Sequence, residues 1–268
     1  MRIALPKTAT LAACIAMLWP VGVSPTWAQT PVATGEALQP AIEVQPVDRA
    51  AAFAAHPLEP FVASYEVYNA GKRLGNATMQ LVSAGNHRWR IDLTMRGTGL
   101  LRLAGVNAEQ SVVFEEREGQ LRPISQATAQ QALVNSRRQV GVYNWNTRRA
   151  VWRGDVRANR QAPIELHEGD MSGLLINLAM IRDASPGVRL QYRYVDGGRA
   201  RDQTYQAAAG TAHYEAVNGI GYEALHLQRG DAVDGTEVWV ADGVPTPLRV
   251  LQHEDGADGI DLRLIEYK

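Results

Sequence analysis

Polar and apolar residues alternate along much of this chain, and the alternation predicts strands. In Arg88-Trp89-Arg90-Ile91-Asp92-Leu93-Thr94-Met95-Arg96 every odd-numbered residue is apolar and every even-numbered one is polar. Val188 to Tyr194 and Ile260 to Leu264 repeat the pattern; Phe61 to Val67 and Val112 to Glu116 follow it less cleanly. Successive strand residues point to opposite faces, so a period of two marks strands with one face buried and one in water. That is the habit of antiparallel sheets. Turn signals punctuate the runs at Asn69-Ala70-Gly71, Ala84-Gly85-Asn86, Asp196-Gly197-Gly198, Asn218-Gly219, Asp234-Gly235 and Asp255 to Gly259. Together they divide the chain into about ten to twelve strands.

One segment breaks the pattern with a helical one. Asp170 is expected to cap a helix over Met171 to Ile181 that stops at Ser185-Pro186-Gly187. This helix is apolar nearly all round, which marks it as buried. A second apolar piece, Gly99 to Gly105, is short; its Leu100, Leu101 and Leu103 are read as a lid over an opening. Sizes then decide the architecture. Ten strands at ~4.8 Å make a sheet ~48 Å wide, of which a helix ~10 Å across and ~16 Å long covers about a fifth. Large exposed apolar faces do not survive on soluble monomers. The sheet is therefore expected to curl into a half-barrel or open barrel around the one helix, leaving a groove.

The first residues change the picture by assigning a destination. Arg2 and Lys7 precede an apolar run from Leu11 to Val23, and Thr26-Trp27-Ala28 places small residues at a cleavage site. This is the pattern of a secretory signal over residues 1–28, so the expected location is the periplasm. The run is shorter than the ~18 residues of a membrane-spanning helix, and Pro20 and Pro25 interrupt it. Leu11-Ala12-Ala13-Cys14 fits a lipoprotein site, but Ile15 to Leu18 continue the apolar run past the cysteine. Cleavage after Ala28 is expected, not a lipid anchor at Cys14. The mature chain then has no cysteine and rests on core burial.

Of 268 residues, 240 follow Ala28. Residues 29–58 are rich in Pro, Ala and Gln and read as a flexible leader, with a single β-rich domain over 59–268. Losing Arg2 and Lys7 leaves 25 basic against 28 acidic side chains, a formal charge of −3. That balance argues against nucleic acid as a partner, and no transmembrane segment remains once the signal is removed.

Candidate chemistry is sparse. There is no Gly-x-Ser-x-Gly elbow, and Ser-x-x-Lys and His-Glu-x-x-His are missing, so no enzyme activity and no cofactor or metal is expected. His167, Glu168, Asp170 and Ser172 crowd the helix entrance, where capping explains them better than acid/base work or a hydrolase centre. Asp255 to Asp261 superficially suggests a calcium loop, but its acids fall every third residue. A hairpin turn fits better. Arginines gather between Arg137 and Arg160, with Trp145 and Trp152 interleaved and Asp155 the one acid. Such a face suits phosphate, carboxylate or an acidic partner.

Several segments together carry a family likeness. They are Tyr65-Glu66-Val67 with Gly71 and Gly75, and Asp170-Met171-Ser172 with the apolar helix. The third is Thr236-Glu237-Val238-Trp239-Val240-Ala241-Asp242 followed by Pro245, Pro247, Leu248 and Arg249. Over about residues 59–268 the chain resembles an exported Gram-negative family known as a domain of unknown function, family 3108. The resemblance implies a periplasmic, β-rich protein, similar in outline to the half-barrels that carry lipoproteins between membranes. It implies no activity and no catalytic residues.

The leading expectation is a non-catalytic periplasmic binding or carrier protein with an apolar groove for a lipid, an acyl chain or a lipidated partner. Its groove residues are taken as Trp89, Ile91, Leu93, Met95, Phe114, Leu190, Tyr192 and Tyr194. The alternative is a structural or assembly factor of the cell envelope that docks an envelope protein through Arg148, Arg149 and Arg153 on an outer face.

Overall fold

The fold follows from a computed structural model that describes residues 57–268 apart from Ala104, Leu133, Val134 and Ala232. The expected signal, Cys14 and the leader up to residue 56 lie outside the described residues. The chain first lays down β1 (Phe61–Asn69), β2 (Lys72–Gly85) and β3 (Arg88–Gly97), then a single turn of helix, α1 (Leu100–Leu103). β4 (Asn107–Arg117), β5 (Gln120–Ala132), β6 (Asn135–Asn144) and β7 (Arg149–Gly154) follow, then a 3-10 turn (Ala158–Arg160) and two short strands, β8 (Ile164–Glu165) and β9 (Asp170–Met171). Helix α2 (Gly173–Asp183) separates these from β10 (Arg189–Asp196), β11 (Arg199–Ala207) and β12 (Ala212–Glu215). β13 (Gly221–Gly230), β14 (Gly235–Ala241), β15 (Arg249–Glu254) and β16 (Ala257–Tyr267) complete it.

All sixteen strands join one sheet, ordered β8-β7-β6-β5-β4-β3-β2-β1-β16-β15-β14-β13-β11-β10-β9, with β12 beside β13. Two meanders are thus sewn together where β1 meets β16, and every pairing is antiparallel except β9 with β10. The expected mainly-β sheet around a buried helix is what forms, with more strands than the ten to twelve predicted. Two additions, β8 and β9, are only two residues long. Another, β5, reads QLRPISQATAQQA and shows no apolar period. Bulges between Ser64 and Tyr65, Val67 and Tyr68, and Val113 and Phe114 help bend the sheet.

The inner face of the curl wraps α2, whose Leu174, Leu175, Ile176, Leu178, Ala179 and Met180 are all buried. Tyr65, Ile91, Phe114, Leu227 and Leu264 pack into the same core. Each such side chain contributes about 1.5–3 kcal/mol through burial, so the all-round apolar helix is a plug that holds the sheet in its curl. The Tyr65 hydroxyl meets Thr246 Oγ1 and donates to the Pro247 carbonyl (2.9 Å), which ties β1 to the β14–β15 connection.

Asp170 does not cap α2. Ser172 takes that position, and its side chain makes no capping bond. Asp170 sits in β9, where its Oδ2 accepts from the His167 backbone N–H (2.9 Å) and from Arg193 Nη1 (2.5 Å). Arg193 and the His167 N–H thus hold this carboxylate in β9, with the cation adding a charge-assisted bond that the helix N-terminus would not supply.

The sheet stays open, and side chains fasten its ends. Val195 and Tyr194 are neighbours on β10 and face opposite ways: Tyr194 enters the main core, while Val195 packs with Tyr143, Trp152 and Leu166 in a second cluster. The β6–β7 end therefore laps over the outside of β10. Gln126 of β5 donates to Asp196 Oδ2 (2.7 Å), and the Tyr143 hydroxyl lies 2.9 Å from Gln126 Oε1 and 2.7 Å from the Val195 carbonyl. Arg193 reaches the Glu165 carbonyl on β8 at 3.4 Å. This seam substitutes side-chain bonds for a backbone ladder.

Candidate functional site

Two concave features lie at opposite ends of α2. The larger is a cavity of about 670 Å³ at the mouth of the half-barrel. It exists because α2 stops short: the Ala184 N–H closes the last turn on the Met180 carbonyl (2.9 Å), and Ser185-Pro186-Gly187 turns the chain away. Leu178 and Ile181 of α2 form one wall; Phe61, Leu81, Val240 and Val244 belong to the others. A volume of this size lies within the range of about 300–1,000 Å³ typical of small-molecule sites.

Arg182 lines that cavity, and both it and the neighbouring Asp183 are buried. Arg182 Nε donates to Asp183 Oδ1 (2.7 Å), and Nη1 donates to the Gly119 carbonyl (3.0 Å). The Tyr192 hydroxyl donates to Asp183 Oδ2 (3.2 Å). The one buried cation in the lining is therefore already neutralised, and the other charged residues of the lining, Glu59, Glu223, Asp242 and Lys268, are exposed.

The smaller feature, about 110 Å³, opens at the seam beyond the N-terminal end of α2. Gly173 begins the helix against the Tyr194 ring, and Tyr194 lines the seam pocket. Ile181 and Arg182 line the mouth, so the eleven residues of α2 hold the two features about 16 Å apart. Arg137, Arg138, Arg157, Arg160, Arg199 and Arg201 surround the seam pocket. Burial, then the nearby Asp196 carboxylate, pushes the Tyr143 and Tyr194 hydroxyls well above the usual tyrosine range; both remain donors.

The groove residues expected from the sequence sit elsewhere. Ile91, Leu93, Met95, Phe114, Leu190, Tyr192 and Tyr194 are buried around α2, and Trp89 packs partly buried against that core. None of them lines the mouth cavity. Alternation picks out the whole inner face, but α2 fills the barrel at their level, and the open space begins only where the helix ends. Arg148, Arg149 and Arg153 are exposed on the β6–β7 turn and the outer face of β7, and none lines either cavity. Their sequence neighbours Arg137, Arg138, Arg157 and Arg160 do gather, joined by Arg199 and Arg201, which the linear clustering missed. The signal for those two is Asp196-Gly197-Gly198, the turn that brings β11 back to the seam.

Other expected candidates resolve into structure. Leu100 of α1 is 82 % exposed, whereas Leu101 lines a small crevice with Met95 and Val106, away from the mouth. Asp255 and Gly256 are the two central residues of the β15–β16 hairpin, both at positive φ (51° and 75°), as a type I′ turn requires. Asp261 receives two bonds from Arg249 (2.8 and 2.9 Å) and one from Arg263 (2.8 Å). Among the described residues no group of three or more His, Cys, Asp or Glu side chains is placed to hold a metal ion.

The segment from Thr236 to Arg249 serves both faces: Val238, Val240 and Leu248 enter the core, while Trp239 and Arg249 form a fastening on the outer face. His226 stacks on Trp239 with centroids 4.6 Å apart, and Arg249 lies 4.8 Å from the same ring. Arg263 covers Tyr68 at 4.4 Å. The ladder crosses β13, β14, β15, β16 and β1, which spans the junction of the two meanders.

A family model described as a protein of unknown function (DUF3108) matches residues 64–260. The chain belongs to that family. The match runs from within β1 into β16 and takes in the whole lining of the seam pocket and most of that of the mouth cavity. Among solved structures, the chain is similar to one described as a β-barrel-like protein of a domain of unknown function, DUF1849, from Brucella abortus. The TM-score is 0.48 at 9 % identity, covering 79 % of this chain and 98 % of that one. No curated protein matches it.

Proposed function

We propose that this DUF3108 protein is an exported, non-catalytic binding protein whose mouth cavity takes the acyl chain of a lipid or of a lipidated partner. The observation that carries this reading is the cavity of about 670 Å³ between the end of α2 and the β1–β14 rim, with Leu178, Ile181 and Val244 in its walls. Its buried Arg182 is already paired with Asp183, so a neutral alkyl chain suits the depth of the cavity better than a free carboxylate. The basic start, apolar run and small-residue exit of residues 1–28 support export.

The test is native mass spectrometry of the full chain purified from cells that export it, before and after delipidation. The expected result is a discrete mass loss on delipidation, abolished by Ile181→Trp, which fills the cavity without adding charge. A parent chain that carries no lipid and takes up no acyl chain when offered one would end this reading.

A further inference from the structure

The seam pocket carries a second inference, independent of the mouth cavity. Four segments far apart in sequence converge on it: Thr128 in β5, Arg137 to Gln139 in β6, Asp155 to Arg160 after β7, and Asp196 to Arg201 at the β10–β11 turn. They bring six guanidinium groups and two carboxylates, an excess of four positive charges around about 110 Å³. Both carboxylates have other work. Asp155 accepts from the Arg138 backbone N–H (2.7 Å), and Asp196 accepts from Gln126 (2.7 Å) and the Tyr194 hydroxyl (3.1 Å).

Several donors in this pocket have no acceptor. Among the described residues no carboxylate lies within ion-pair distance of Arg137, Arg157, Arg160 or Arg199. Arg160 Nε and Nη2 and Gln139 Nε2 are buried without a hydrogen-bond partner. Burial, followed by repulsion from Arg199, Arg157 and Arg201, lowers the Arg160 pKa, and Arg199 is lowered likewise. An unpartnered buried donor costs about 1–3 kcal/mol, more when it is charged. The fold nevertheless holds this geometry: a Cβ at Gly198, which has φ of 74°, would collide with the Arg160 carbonyl. The β10–β11 turn is thus seated directly on the backbone of Arg160.

We propose that the seam pocket binds a phosphate-class oxyanion through Arg160, Arg199 and Arg157. A planar guanidinium presents paired N–H donors that match phosphate oxygens, and the excess charge favours a multiply charged anion. The volume suits one phosphate group, either free or at the end of a larger molecule.

The test uses the purified full chain in calorimetric titrations at fixed ionic strength, with inorganic phosphate in one arm and soluble short-chain phosphatidic acid in the other. Saturable binding of inorganic phosphate identifies a free anion as sufficient; binding of the lipid alone identifies the headgroup as the source. In either case Arg160→Gln weakens binding about tenfold or more, while the outer pair Arg148→Gln with Arg149→Gln leaves it unchanged. If Arg160→Gln does not fold, the exposed Arg157→Gln gives the same reading with a smaller loss. The proposal is overturned if neither probe binds saturably, or if the pocket variants bind as the parent does.

Discussion

The two ends of α2 differ in how their space is made, and the difference is instructive. At the C-terminal end a helix stops before the sheet does, and the leftover volume is walled by Leu, Ile, Val and Phe, with Glu59, Glu223, Asp242 and Lys268 also in the lining. At the N-terminal end the sheet overlaps itself, and three segments bring arginines into one pocket. The mouth is apolar by default, whereas the seam is cationic against its own repulsion. An apolar hollow follows from packing geometry alone. Six guanidinium groups held around two carboxylates repel one another, and the proposed anion would offset that cost.

The largest expected effect comes from breaking what both ends share. Phe114 is fully buried in the core that grips α2, so Phe114→Ala should lower the unfolding free energy by about 3–5 kcal/mol. Chemical denaturation measures it, and both binding activities should fall with the folded fraction. A loss below about 1 kcal/mol would mean that the core is not well packed around α2.

Asp170→Asn tests the helix entrance, which lies outside both cavities. It strips the partner from Arg193, whose side chain is 25 % exposed, and the expected cost is about 1–3 kcal/mol. Acyl binding at the mouth should survive in the folded variant, since Asp170 and Arg193 do not line that cavity.

The smallest effect lies outside both ends. Burial disfavours ionised Glu237, but hydrogen bonds from His253 (2.6 Å) and His226 (2.7 Å) overcome it, so its pKa falls below the ordinary glutamate value of 4.5. A depressed carboxylate pKa gives stability that is present above the unfolded value and lost as pH falls through the folded one. Thermal melts between about pH 6 and pH 3 should therefore show the parent losing more stability than Glu237→Gln, by about 1 kcal/mol or less. Ligand binding at either end should not change with that variant near neutral pH.

Much of the fold was legible in the sequence, and much of the site was not. Residues 88–96 announce β3 because one face is core and the other solvent. In β5 the alternation fades because Gln126 turns inward to bind Asp196 and Tyr143 across the seam. Polar closure has no hydrophobic period, and strands of two residues such as β8 and β9 are too short to show one, so the sequence predicts fewer strands than form. The apolar residues of the inner face were also legible, but which of them border empty space depends on where α2 ends, and helix length does not register on the facing strands. The arginines of 137–160 stood out by number, yet exposed Arg149 and pocket-lining Arg160 read alike until the Gly197-Gly198 turn is laid on one of them. Of the Trp-Val-Ala-Asp…Pro…Arg segment that carries the family likeness, Trp239 and Arg249 brace the outer ladder, while Val240, Ala241, Asp242 and Pro245 line the mouth cavity.

The most direct test of the central claim is photo-crosslinking of a diazirine-bearing fatty acyl lipid to the full chain, mapped by peptide mass spectrometry. The account predicts adducts on the mouth wall, at Leu58, Ile181 or Val244, with labelling suppressed by Ile181→Trp. Labelling confined to the outer faces of the sheet, or unchanged in that variant, would contradict it.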